Sequence, residues 1–151
     1  MTETVTSLDL GVEWQPNIED YLLSSDGYGK TVLALEPHPN DSDSSIVLLV
    51  WSGVAFASMG GPNDEAIEGH RLYSKGLDGV TWAGTVQESE LITLLERQNS
   101  VHYLHDPSRF SPLIHYVLPL KGDVVEVVAH DLIVVRADTD RISAAAEAMR
   151  T

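Results

Sequence analysis

Apolar and polar residues alternate at the start of the chain, with Leu8, Leu10, Val12 and Trp14 separated by Asp9, Gly11 and Glu13. Strand side chains point alternately to opposite faces, so this spacing predicts a half-buried strand. Residues 31–36 form a second short candidate. The apolar run 46–59 is long enough to be one strand, bent or bulged at Gly53. Residues 80–87, rich in Thr, Val and Trp, give a fourth. Three more runs, 113–120, 124–129 and 132–136, are separated by Lys121-Gly122-Asp123 and His130-Asp131. Tight turns between β-branched runs predict an antiparallel meander.

Helical spacing is rarer. Ser89 is placed to cap a helix over 90–98, with Leu91, Leu94 and Leu95 on one stripe and Glu90, Glu96 and Arg97 toward solvent. Asn63 or Asp64 starts a short helix limited by Gly69 and Gly76, and the Ala-rich residues 138–150 form a last one. The loop 37–45, dense in Pro, Asn, Asp and Ser, lies inside a single domain spanning 1–151, because the residues before it are too few for their own core. The expected fold is α+β: a β-rich antiparallel sheet curled into a roll or small barrel, with two or three short helices.

Composition narrows the chemistry. The 151 residues contain no Cys, which removes thiol catalysis, Cys-bound zinc and iron–sulfur clusters and leaves oxygen and imidazole as the reactive groups. Acidic residues outnumber basic ones 23 to 9, and the net charge of -14 would repel a phosphate backbone, so nucleic acid is not an expected partner. The N-terminus lacks the pattern of a secretory signal, and the longest apolar run is too short for a bilayer span, so a cytoplasmic, membrane-free protein is expected.

Known catalytic signatures are absent or incomplete. Gly29-Lys30-Thr31 lacks the preceding glycine and following helix of a phosphate loop, and Ser58 lacks the first glycine of a nucleophile elbow. The informative pattern is at the Lys121-Gly122 turn. A two-residue turn places Leu120 opposite Asp123 and pairs Tyr116 with Val127, Val117 with Glu126 and His115 with Val128. His115 and Glu126 then share a face as diagonal neighbours, about 7–8 Å apart at the backbone. A carboxylate accepting from imidazole raises its basicity and sets its tautomer. His70 and His102 are candidates for an opposing acid–base group. Asn63, Asp64 and Glu65, after Gly60-Gly61-Pro62, are candidate ligand contacts at a helix start, or simply caps of their own helix. Tyr116, with Trp14, Trp51 and Trp82, offers an apolar wall or core packing. His102-x-x-His105 could hold a divalent ion with His70 or His115, but the spacing is common among loop histidines, and no metal or cofactor is assigned.

Gly61-Pro62-Asn63-Asp64-Glu65, Gly69-His70-x-Leu72, Gly76-Leu77, Glu88-Ser89, Asn99-x-Val101-His102 and His115-Tyr116…Glu126-x-x-Ala129 together resemble a family of small uncharacterised bacterial proteins over about residues 60–129. The chain departs from that pattern at Lys121-Gly122, where the family shows His-Asp, and at Tyr116, where it shows Phe. The resemblance implies a residue pattern and no mechanism. Two readings follow from the residues. The first is a domain that binds a small molecule or a protein through a polar site on a curled sheet, with a homodimer compatible with its edge strands. The second is an enzyme using His115, Glu126 and His70 or His102 for acid–base chemistry.

Overall fold

A computed structural model describes residues 2–12 and 20–151 of the chain. Among them the strands are β1 (Thr4–Ser7), β2 (Tyr21–Ser25), β3 (Lys30–Leu35), β4 (Ile46–Ser52), β5 (Phe56–Gly60), β6 (Gly84–Gln87), β7 (Ile114–Pro119), β8 (Val124–Ala129) and β9 (Asp131–Ala137). The α-helices are α1 (Glu90–Asn99) and α2 (Arg141–Arg150). Pairing is antiparallel throughout, in one sheet ordered β1-β6-β7-β8-β5 and another ordered β2-β3-β4-β9.

The α+β expectation holds, but neither sheet closes into a roll or barrel; two open sheets stack instead. The reason lies at two adjacent crossings. The 46–59 run is two strands in different sheets, broken at Gly53, whose φ of +63° suits glycine. The chain crosses back at His130, so β8 and β9 belong to different sheets and the expected three-stranded meander is a β7–β8 hairpin followed by a change of partner. The crossings touch, because the His130 amide is 3.2 Å from the carbonyls of both Ser52 and Gly53.

Between the sheets, Leu33, Leu35, Leu49 and Trp51 meet Tyr116, Leu118, Val125 and Val127 in the main core. Strands β3, β4, β7 and β8 are buried on both faces, which explains why they read as nearly continuous apolar runs. Beyond the β2–β9 sheet, Val32, Ala34, Ile46 and Leu48 are covered by Ala144 and Ala145 of α2. Beyond the other sheet, Val86, Val117 and Val124 are covered by Leu72 and Leu77, from a series of 3-10 turns between Asp64 and Gly79.

The alternation at 8–14 is not a strand where it is described: β1 ends at Ser7, and Leu8, Leu10 and Val12 pack on the main core as irregular chain. Trp14 lies outside the described residues. No helix of the described chain is long and apolar enough to cross a membrane.

Candidate functional site

The hairpin turn sets the site. Leu120 N–H donates to the Asp123 carbonyl at 2.8 Å, and β7 pairs with β8 in the register His115 to Val128 and Val117 to Glu126. His115 and Glu126 therefore face away from the main core, and His115 Nε2 lies 2.8 Å from Glu126 Oε1. His115 is fully buried. The series of 3-10 turns brings two further side chains onto the same carboxylate. Arg71 donates to both oxygens, Nη1 to Oε2 at 2.9 Å and Nη2 to Oε1 at 2.6 Å. His70 Nε2 lies 3.8 Å from Oε2.

Hydrogen-bond direction fixes both imidazoles. His70 Nδ1 accepts from the Leu72 amide at 3.1 Å, so its proton is on Nε2, facing Glu126. His115 gives its Nε2 proton to the carboxylate; in the neutral imidazole Nδ1 is then the acceptor, and the Ser89 hydroxyl, 2.7 Å away, donates to it. Ser89 Oγ in turn accepts from the Ile92 amide at 3.1 Å as the N-cap of α1. Burial would raise the Glu126 carboxyl, but the hydrogen bonds from His115 and Arg71, with the His70 imidazole close by, outweigh it and hold the group far below the usual carboxylate range. The Arg71 guanidinium is pushed up by its bond to Glu126. A second buried carboxylate completes the neighbourhood. Glu3, beside β1, accepts from Lys75 Nζ at 2.8 Å and from the Glu90 amide at the start of α1 at 2.8 Å. Burial opposes ionisation of Glu3 too, and these bonds override it.

The polar chain Arg71–Glu126–His115–Ser89 runs beneath α1 and surfaces on both sides. On one side, Arg71 and Glu126 meet Phe56, Leu91 and Leu94 in a cleft of about 320 Å³, with Glu90 at its rim. On the other, Ser89 lies in a larger cleft of about 770 Å³ with Val86, Ile92, Phe110, Leu113 and Ile114.

Of the residues expected to act together, His115, Glu126 and His70 converge. His102 does not: it sits in the exposed turn after α1, its Nδ1 accepts from the Leu104 amide at 3.0 Å, and its ring stacks on Tyr103. Its placement follows from local turn geometry. Tyr116 is one residue from His115 and so faces the opposite side of the sheet, where it packs edge-on against Trp51 in the main core. The expected wall residues Trp51 and Trp82 are likewise core. Asn63 caps its own 3-10 turn through the Ala66 amide, Asp64 lies 3.6 Å from Lys121 Nζ, and Glu65 is exposed; none of the three contacts Glu126. Among the described residues, no group of three or more His, Asp or Glu side chains is arranged to hold a metal ion.

Arg71 and Ser89 are the members that the sequence reading missed. A signal for Arg71 existed: a glutamate amid four valines of β8 calls for a countercharge, and Arg71 adjoins the candidate His70. Ser89 was legible as a cap, whereas its meeting with His115 depends on how β6 pairs with β7. No family model matches the chain, and no curated protein or solved structure matches it.

Proposed function

We propose that the protein is a binding domain for a small uncharged molecule with an apolar body and a carbonyl or amide end, held in the cleft of Phe56, Arg71, Leu91 and Leu94. The observation that carries this reading is an ion pair in a cleft whose remaining walls are Phe56, Leu91 and Leu94, with Glu90 beside them. Apolar walls with a few convergent polar groups are the usual make-up of small-ligand sites. Glu126 uses two of the five guanidinium N–H groups of Arg71, whose side chain remains 53% exposed, so donors are left for a carbonyl oxygen. Glu90 at the rim is an acceptor for an amide N–H. With two carboxylates against one guanidinium, the cleft carries net negative charge and disfavours an anion.

The same contacts argue against direct acid–base chemistry by His115 and Glu126 on a ligand in this cleft. Both ring nitrogens of His115 are engaged, and Glu126 is saturated by donors and stays ionised. The test is ligand-observed NMR with a library of uncharged amide- and ketone-bearing apolar fragments. Wild-type protein is expected to retain a subset that Leu91→Trp, which fills the cleft from its helix wall and leaves Arg71 and Glu126 in the chain, no longer holds. If no fragment distinguishes the folded variant from the wild type, the reading fails.

A further inference from the structure

We infer that Ser89 is a nucleophile, activated by His115 and directed into the cleft on the far side of α1, and that its substrates are small uncharged acyl compounds such as esters. This inference is independent of the binding reading above, since it concerns a different cleft and a different atom.

Glu126 anchors the line of contacts that ends at Ser89. Glu126 accepts the Nε2 proton of His115 at 2.8 Å, and in the neutral imidazole Nδ1 is then the bare base that faces Ser89. The Nδ1 partner is the Ser89 hydroxyl at 2.7 Å, so the O–H points at a base ready to take its proton. A hydroxyl oxygen has two lone pairs. One accepts from the Ile92 amide, and the other is left for attack. Serine, imidazole and carboxylate in an unbroken line are the elements of an activated hydroxyl, and which ring nitrogen faces the serine does not alter the proton transfer.

Local backbone supports the assignment. Glu88, immediately before Ser89, has φ +54°, a left-handed conformation uncommon for a non-glycine residue and one of the forms of strain that cluster at functional sites. It lies between β6 and α1, so a strand, a sharp turn and a helix start present the serine. The cleft has apolar walls at Ile92, Phe110, Leu113 and Ile114, while Glu88 and Glu96 line it with negative charge, which favours an uncharged substrate.

The step balances on these groups alone. Ser89 Oγ attacks the ester carbonyl carbon as its proton passes to His115 Nδ1, giving an imidazolium paired with Glu126. Collapse of the tetrahedral adduct breaks the bond to the alkoxide, which takes the proton from Nδ1 and leaves as the alcohol. Water then repeats the sequence on the acyl-serine, releasing the acid and restoring the hydroxyl. Ser89 touches substrate, His115 holds the proton, and Glu126 is a positioning residue.

A fluorophosphonate probe tests this, because attack forms an Oγ–P bond, expels fluoride and leaves a stable adduct readable by intact mass and peptide mapping. Folded wild-type protein is expected to carry one adduct, on Ser89, formed at least ~100-fold faster than in urea-unfolded wild type, the scale of general-base assistance. His115→Gln should slow labelling by a similar factor, and Ser89→Ala should abolish it. The folded-versus-unfolded comparison needs no variant, so it decides the matter even where a substitution disturbs folding. No adduct on folded wild type, an adduct only on another serine such as Ser108 or Ser111, or equal rates for folded and unfolded protein would each overturn the inference. Fragment binding in the Arg71 cleft is unaffected by any of these outcomes.

Discussion

Glu126 shows how one residue shapes its surroundings. On β8 it stands among valines, and its side chain is only 10% exposed, where an unpaired charge would be prohibitive. Arg71 supplies the countercharge in bidentate form, and two imidazoles supply further N–H groups, so the carboxylate is held in its ionised form. The consequence is a pH-dependent stability. The folded carboxyl titrates below the unfolded value of 4.5, so the unfolded chain takes up the proton first as pH falls. The stabilisation is present above that value and drains away as pH drops toward the folded pKa, with a limiting slope of about 1.4 kcal/mol per pH unit. Denaturant unfolding from pH 6 down to about pH 2 is expected to show a shallower loss for Glu126→Gln than for wild type, by up to that slope. Parallel curves would mean that the ion pair contributes nothing specific.

At the scale of an element, α1 is held more by its ends than by its face. None of its residues is buried, and Leu94 is 43% exposed, so packing contributes little. Ser89 satisfies the Ile92 amide, and Glu3 satisfies the Glu90 amide while placing a negative charge at the positive end of the helix dipole. Glu3 thus ties the edge strand β1 to α1 through one carboxylate that is itself neutralised by Lys75. Glu3→Ala is expected to accelerate hydrogen exchange of the first-turn amides of α1 and to cost about 1 kcal/mol, the usual worth of a cap. Amides of β3 and β4 should keep their protection. Uniform loss of protection across both sheets would show that Glu3 supports the whole fold instead. The helix and its serine cap are legible because the stripe of Leu91, Leu94 and Leu95 and the cap preference are both local. β1 is not: Thr4–Ser7 carries little hydrophobic signal, while the alternating Leu8, Leu10 and Val12 belong to chain that packs on the core without pairing.

At the scale of the molecule, the stacking depends on changing sheets at Gly53 and His130. A Cβ on Gly53 would lie 2.5 Å from the His130 ring, on a backbone already at positive φ. Gly53→Ala is expected to destabilise by about 1–3 kcal/mol, seen as a lower thermal midpoint. Adding His130→Ala should recover the part due to the ring, leaving the part due to φ and to the His130 Cβ, which stays 2.9 Å away. No recovery in the double variant would show that the ring contributes none of the cost. From the sequence, Gly53 is visible as a break in an apolar run but not as an exchange of partners. An unbroken strand with a bulge and two strands in different sheets have the same hydrophobic pattern, and only the choice of neighbours separates a curled single sheet from two stacked ones.

The chain by itself determined what neighbouring residues decide together. A two-residue turn and a period of two are enough to align His115 with Glu126, because the residues are 11 apart on one hairpin and no other part of the protein need be known. Tertiary structure alone decided what that pair does. Arg71 reaches Glu126 across 55 residues and Ser89 reaches His115 across 26, and both contacts depend on the order of strands in the sheet and on which segments cover its outer face. Those choices follow from burying apolar surface over the whole chain, a quantity that no single stretch of it encodes.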